Sequence, residues 1–375
     1  MIFDKLLNKK EVENQKLEVQ EPEVQEPEVQ KPEAQVLEDQ NPKDQDPGDK
    51  DPNLEITADS IKMDKHEIAI IGLGKMGLNL ALNLKDKGVS IYGYTKGEDG
   101  RSEAEKGGIK TAKSIEELMS FFEDRKKIFW IMVPQGSPVE EVLFDESEGI
   151  VKRLKQGDLI IDGGNSYFKD SISRYEKLKS LGINFLDCGT SGGMLGAREG
   201  ACLMVGGDQG VFDDQRWIFD SVAAKDGYLY VGASGAGHYV KMIHNAIEYG
   251  MMQSIAEGLN LIKNGEYKDV DIKNLLSAWN HGSIVESYLT KITEEQMGQY
   301  SPNLDEIEGV VEDNGEGAWT LKEAIDKQVP FETVSHALFS RFSSRGKSLY
   351  ANKVLALMRN GFGGHRLIRE EDNKN

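Results

Sequence analysis

Gly72, Gly74 and Gly77 form a Gly-x-Gly-x-x-Gly turn, and its neighbours constrain the fold more than any other feature of the chain. Before it runs Glu67–Gly72, Glu-Ile-Ala-Ile-Ile-Gly, apolar without alternation, as a strand buried on both faces of a parallel sheet requires. After it comes Leu78–Lys87, with Leu78, Leu80, Leu82 and Leu84, read as a helix. In such a unit the first glycine makes the turn and the second admits a pyrophosphate. The third lets helix pack on strand, and the helix N-terminus holds the anion. Gly72, Leu73, Gly74, Lys75, Met76 and Gly77 are therefore expected to cradle a dinucleotide.

The next strand, Val89–Tyr94, selects the cofactor. An acidic residue at its end would bind a ribose 2′-hydroxyl and repel a 2′-phosphate. Thr95 and Lys96 stand there instead, with Glu98 and Asp99 slightly later. Lys96 can pair with a 2′-phosphate, so the reading favours NADP, with NAD as the alternative. Further strands are expected at Ile128–Val133, Leu159–Asp162, Asn184–Cys188, Cys202–Val205 and Tyr228–Val231, with helices between several of them. That alternation implies a doubly wound parallel sheet whose ligand crevice lies beyond the carboxyl ends of the strands. Val133-Pro134, Gly163-Gly164-Asn165 and Gly189-Thr190-Ser191-Gly192-Gly193 fall at such ends. Glycines there allow close backbone approach, and Asn165 and Ser191 supply hydrogen bonds.

From Ala236 the pattern turns helical. Val240, Ile243, Ile247, Met251, Ile255, Leu259 and Ile262 recur at three- and four-residue steps, which predicts one long helix over Ala236–Asn264. That much apolar helix needs partners from its own domain or a second subunit. Lys241, His244, Asn245 and Glu248 share one face of it. Lys241 and Glu248 are seven apart, beyond the usual helical ion-pair spacing. The stripe thus pairs a candidate base with a candidate acid, with two hydrogen-bonding groups between.

The rest of the chain bounds the class. Residues 1–65 hold 18 acidic and 9 basic side chains and six of the ten prolines, with Phe3 the one aromatic. Such a segment buries too little apolar surface to offset its ordering entropy, and is read as a disordered acidic extension. The formal net charge of −19 argues against general nucleic-acid binding. No apolar run is long enough for a membrane span, and the N-terminus lacks a secretory pattern. Cys188 and Cys202 make neither a disulfide framework nor a metal-ligand spacing, which suits a reducing cytoplasm. No His/Asp/Glu cluster offers a metal site. The expected organisation is a disordered extension over 1–65, an α/β Rossmann-type domain over 66–235 and an all-α C-terminal domain over 236–375.

The motifs together resemble the decarboxylating 6-phosphogluconate dehydrogenases, in the short form with an abbreviated helical domain. The resemblance covers about 66–368. It rests on Gly-Leu-Gly-Lys-Met-Gly (72–77), Asp-Gly-Gly-Asn-Ser (162–166), Asp-Cys-Gly-Thr-Ser-Gly-Gly (187–193) and Gly-His-Tyr-Val-Lys-Met-Ile-His-Asn-Ala-Ile-Glu-Tyr-Gly (237–250). It implies Lys241 as general base, Glu248 as general acid, and Asn165, Ser191, Gly192, Gly193, His244, Asn245 and Tyr249 as substrate contacts. Arg359-Asn-Gly-Phe-Gly-Gly-His365 resembles a tail motif whose arginine and histidine reach the neighbouring subunit's active site. A homodimer or homotetramer is implied, with a sugar-acid phosphate as substrate.

Three positions depart from the pattern. Glu286 stands where many members carry a phosphate-binding arginine, Asn314 where long members have a lysine, and Met194 where they have an acidic residue. Arg359 is then the leading phosphate ligand, ahead of Arg341, Arg345 and Lys347. Glu286 also keeps an alternative open, a non-decarboxylating β-hydroxyacid dehydrogenase acting on a non-phosphorylated acid. A second alternative, a nucleotide-sensing scaffold that binds a partner through the acidic tail, is opposed by the intact Lys241–Glu248 stripe.

Overall fold

Ile68, Ala69, Ile70 and Ile71 are all buried, and they alternate between two separate hydrophobic clusters. Successive strand residues point to opposite faces, so both faces of this strand are covered. Residues 66–122, 126–346 and 349–363 are described in the computed structural model. The extension over 1–65 and His365 lie outside them, as does Lys347.

The strands are β1 (Glu67–Ile71), β2 (Ser90–Tyr94), β3 (Lys110–Ala112), β4 (Ile128–Ile131), β5 (Leu159–Asp162), β6 (Asn184–Ser191), β7 (Ala201–Gly207) and β8 (Ala223–Gly232). Between them run α1 (Lys75–Asp86), α2 (Glu98–Lys106), α3 (Ile115–Ser120), α4 (Ser137–Phe144), α5 (Phe168–Ser180), α6 (Gly193–Glu199), α7 (Gln209–Asp214) and α8 (Arg216–Val222). The helical half follows as α9 (Ala236–Asn264), α10 (Ile272–Trp279), α11 (Tyr288–Met297), α12 (Glu316–Asp326), α13 (Glu332–Ser344) and α14 (Leu349–Gly363).

One sheet has the order β3-β2-β1-β4-β5-β6-β7-β8. Its first six strands are parallel, in the order of dinucleotide-binding sheets, and the order reverses between β1 and β4. The ligand crevice of such a sheet opens there. The expected Rossmann-type sheet followed by a helical half is what the chain forms.

Two expectations need correction. The sheet is not wholly parallel: β7 runs antiparallel to β6, with Ser191 opposite Cys202. Only a short stretch carrying α6 separates the two strands, and a parallel crossover needs a dozen or more residues. Gly189, Thr190 and Ser191 are also not a loop but the last residues of β6. The three-residue β3 was too short to register as a strand.

The helix α9 has the span its periodicity predicted. At 1.5 Å per residue it is roughly 43 Å long. Its first half lies across β6 and β7. A Cβ at Gly189 would stand 2.4 Å from Lys241 Cβ, and one at Gly237 would stand 2.5 Å from the carbonyl oxygens of Asp187 and Met204. These glycines let the helix sit directly on the sheet. Buried Asp187 holds its start, accepting from the backbone N–H of Gly235 at 2.6 Å and of His238 at 3.0 Å. From Ile247 onward the helix is less covered: Ile247, Met251, Met252 and Leu261 are exposed.

Candidate active site

The dinucleotide turn is built as the glycine spacing requires. A Cβ at Gly72 (φ +99°) would meet the Met132 carbonyl oxygen at 2.6 Å, and one at Gly77 would stand 1.9 Å from the Gly72 carbonyl oxygen. Neither position tolerates a side chain. A Cβ at Gly74 would meet nothing within 4 Å. The open space above Gly74, at the N-terminus of α1, is where a pyrophosphate fits. A cavity of about 380 Å³ begins there, lined by Gly72, Gly74, Thr95, Lys96, Val133 and Pro134 among others. The residues present suit a dinucleotide.

The remaining turn residues contribute differently. Leu73 is 3% exposed and belongs to the core, so it offers the ligand backbone only. Lys75 is exposed and Met76 half-buried, and neither lines the cavity. Lys96 lies at the cavity mouth in a 2.8 Å ion pair with Glu141. Sequence reading missed Arg101, whose guanidinium donates to the carbonyls of Thr95 at 2.9 Å and Lys96 at 3.1 Å. It brings a second cation to the end of β2.

At the end of β5 the loop carrying Asn165 is tied down from within. Buried Asp162 accepts from Ser166 Oγ at 2.7 Å and from Arg174 at 3.2 Å. Arg174 is 1% exposed and also bonds Ser166 at 3.1 Å and Glu140 at 2.8 Å. A buried Asp at a strand end demands such a partner. Asn165 is half-buried and stands between Gly164 and Ser166, both of which donate to Asp162. Gly192 (φ +111°) and Gly193 (φ +61°) turn the chain from β6 into α6, and Gly193 is exposed at the opening. Met194 beside it is exposed too.

Lys241, His244 and Asn245 of the α9 stripe form one hydrogen-bonded group. Lys241 is 5% exposed, and its Nζ donates to Asn245 Oδ1 at 2.7 Å. His244 Nδ1 lies 3.1 Å from the same oxygen, and its Nε2 lies 3.3 Å from Ser191 Oγ. The structure thus joins Lys241, His244, Asn245 and Ser191, which the sequence brings from two elements. Burial pushes the Lys241 amine below the usual lysine range, opposed by the charges of Glu316 and Glu248. Glu248 itself is half-buried, near enough for its charge to bear on the lysine.

Glu316 was not singled out from the sequence. It opens α12 and is 1% exposed. Its Oε2 accepts from Asn245 Nδ2 and from Asn314 Nδ2, each at 2.5 Å. Burial raises its carboxyl above the usual range, against the Asn245 hydrogen bond and the Lys241 charge. Asn314 Oδ1 in turn accepts from the Tyr249 hydroxyl at 2.9 Å. The Asn314 carbonyl accepts from Gln135 at 3.0 Å, which links this loop to the segment after Pro134.

The cation candidates separate. Arg341 lies over the Tyr249 ring, 3.7 Å from its centroid. Arg345 is engaged with Asp313 at 2.9 Å. Glu286 pairs with Lys291 at 2.9 Å and accepts from the Gly282 N–H, so it braces its own turn. Arg359 falls on α14, whose backbone alone is described at that position.

A dinucleotide cleft at a sheet's switch point and a buried amine on a helix laid across the same sheet are the parts a nicotinamide-dinucleotide-dependent oxidoreductase needs. Residues 67–232 match the NAD binding domain of 6-phosphogluconate dehydrogenase, and residues 237–371 match the 6-phosphogluconate dehydrogenase C-terminal domain. The chain belongs to the 6-phosphogluconate dehydrogenase family. It is 41% identical to a putative 6-phosphogluconate dehydrogenase of Bacillus subtilis, over 80% of this chain and 98% of that one. It is 36% identical to the NAD(+)-dependent, decarboxylating 6-phosphogluconate dehydrogenase of Haloferax volcanii, over 82% of this chain and 100% of that one. The 6-phosphogluconate dehydrogenase of Plasmodium falciparum, solved apo, with NADP+ and with 6-phosphogluconate, superposes with a TM-score of 0.67 at 30% identity, covering 82% of this chain and 67% of that one.

Proposed function

We propose that the protein oxidises and decarboxylates 6-phospho-D-gluconate to D-ribulose 5-phosphate and CO₂, reducing NADP or NAD. The observation that carries this reading is the Lys241 amine, buried at the foot of α9 and hydrogen-bonded to Asn245. A lysine serves as a base only when neutral, and burial favours that form.

A dinucleotide held by the turn at Gly72, Gly74 and Gly77 would supply a nicotinamide ring as the hydride acceptor for C3. Lys241 takes the proton of the 3-hydroxyl. Protonated, it donates to the new carbonyl oxygen and stabilises the negative charge that develops there as the carboxylate departs. Glu248 then delivers a proton to C1 of the enediol. Asn165, Ser191, Gly192, Gly193, His244, Asn245 and Tyr249 hold the substrate. The His244–Ser191 contact joins two of these groups, and the Asp162–Ser166–Arg174 network ties down the loop that carries Asn165. Gly72, Gly74, Gly77, Thr95, Lys96, Val133 and Pro134 hold the dinucleotide, with backbone only from Leu73. Lys96 and Arg101 at the end of β2 support NADP as the preferred form.

The working unit proposed is a homodimer or homotetramer, in which Arg359 and His365 of one chain complete the site of another. The exposed Ile247, Met251, Met252 and Leu261 on α9 support it, because a monomer would leave this apolar stripe in water. Residues 66–235 form the dinucleotide domain and 236–375 the helical substrate and association domain in this reading. No helix among the described residues is long and apolar enough to cross a membrane, and cytoplasmic location is proposed with the metabolic role.

Steady-state assays with 6-phosphogluconate, gluconate and 3-hydroxyisobutyrate, each with NADP and NAD, test the reading. Reduced nicotinamide and CO₂ in equal amounts from 6-phosphogluconate alone are expected. Reduction without CO₂, or equal rates with a non-phosphorylated acid, would overturn it.

A further inference from the structure

The polarity of the hydrogen-bond chain around Lys241 can be traced to Glu316, because the neutral amine a base requires could accept as well as donate. A side-chain amide can present either its oxygen or its NH₂ to a neighbour. At Asn245 the choice is made by Glu316, whose Oε2 only accepts in this contact, so Asn245 must turn its NH₂ toward it. Asn245 Oδ1 then faces Lys241 and His244, and both must donate to it. His244 therefore carries a hydrogen on Nδ1, and in the neutral ring its Nε2 accepts from the Ser191 hydroxyl. One carboxylate thus orients an amide, selects an imidazole tautomer and aims a hydroxyl. Asn314 steadies that carboxylate from its other side by donating to the same oxygen.

We propose that Glu316 is the positioning residue of this site, setting the direction of every hydrogen bond from Asn245 to Ser191 and holding the Lys241 amine in place for proton transfer. The proposal rests on the reading of Lys241 as the base. Glu316 does not touch the reacting atoms. It acts through Asn245, and its charge acts on Lys241 across that amide.

The electrostatic setting is defined. From α12, Glu316 faces the lysine. From α9 itself come Glu248, His244 and His238, the last held by Ser171 of α5 at 2.7 Å. From β7 comes Cys202. Asp187 of β6 is spent on the backbone N–H groups at the start of α9. On the α13 side Arg341 covers Tyr249. Removing the Glu316 charge removes the largest interaction that keeps the lysine protonated. The sign follows: the amine should lose its proton at lower pH.

Two variants separate charge from anchorage. Glu316→Gln keeps an accepting oxygen for both asparagines and deletes the charge. Glu316→Ala deletes both. The Lys241 amine is titrated in the full-length protein by NMR of ¹³Cε-labelled lysine, its signal identified by loss in Lys241→Met. Glu316→Gln is expected to move that titration, and the acidic limb of kcat/KM for 6-phosphogluconate, about one pH unit downward. Glu316→Ala is expected to lower kcat about tenfold or more, the scale for removing a catalytic group's support, with NADPH binding retained. An unmoved Lys241 titration in Glu316→Gln overturns the proposal, and that variant decides alone if the alanine form does not fold. A wild-type protein silent with 6-phosphogluconate would instead sink the reading of function, while the NMR titration would still decide the role of Glu316.

Discussion

Lys241 Nζ and Asn245 Oδ1 are 2.7 Å apart, one helical turn from each other on the buried face of α9. Of the residues proposed for chemistry, Lys241 is the one that burial drives toward its neutral form. Replacing it with methionine keeps the bulk and removes the base. Turnover of 6-phosphogluconate is expected to fall by about 10²–10⁴, the usual contribution of a positioned base. Dinucleotide affinity, measured by fluorescence of bound NADPH, should stay near wild type, because the cleft around Gly74 lies on other elements. Near-wild-type turnover would remove Lys241 from the role.

The pH dependence has a fixed sign. A lysine base works only when unprotonated, so kcat/KM should rise with pH through the lysine's own pKa. Desolvation lowers that pKa, against the pull of Glu316 and Glu248. The plateau should therefore be reached below the pH of about 10.4 at which an ordinary lysine titrates. A profile still climbing at that pH would mean that the amine is not desolvated in the working enzyme.

Glu248 is half-buried two turns along the same helix, with a charge that bears on Lys241. As the acid it acts after CO₂ has left. Glu248→Gln should then slow the proton-transfer step more than hydride transfer. In deuterium oxide, the rate of label entry at C1 of ribulose 5-phosphate reads that step. About a 10²-fold loss is expected, within the usual range for general acid catalysis. An unchanged labelling rate would assign the proton to another donor.

The backbone contact beneath this machinery is just as specific. A Cβ on Gly237 would press within 2.5 Å of two sheet carbonyl oxygens, neither of which can rotate away. Gly237→Ala should shift the start of α9 off β6 and β7. A destabilisation of about 1–3 kcal/mol is expected, the ordinary cost of overpacking a tight site. Thermal unfolding measures it, and activity should fall in parallel because Lys241 rides on the same turn. An unchanged melting temperature would show that the helix start is free to move.

How far the sequence reached depended on the range of each interaction. The dinucleotide turn and the full span of α9 were legible because local spacing encodes them: glycines at a turn, apolar residues at three- and four-residue steps. Lys241, His244 and Asn245 were found together for the same reason. Glu316 was missed because it meets Asn245 from 71 positions away, and its own neighbourhood, Asp313–Thr320, was read for a phosphate-binding cation. Arg174 and Arg101 were missed likewise, since a basic residue on a helix reads as solvated until its partners are seen. The antiparallel β7 was readable in principle, because the connection after Ser191 is too short for a parallel crossover.

Lys96 carries the last expectation. It lies at the mouth of the cleft at the end of β2, paired with Glu141 at 2.8 Å on the surface. A 2′-phosphate brings two negative charges and would take the ammonium away from Glu141, whereas a 2′-hydroxyl gives it no reason to leave. Lys96→Ala should therefore raise KM for NADP while leaving KM for NAD little changed. About a tenfold fall in the ratio of kcat/KM for NADP over NAD is expected, with Arg101 retaining the rest of the preference. The ratio should also fall as salt rises, because the contact is exposed and screened. Equal losses with both cofactors would place Lys96 on a part of the dinucleotide that the two share, and the basis for preferring NADP would pass to Arg101 alone.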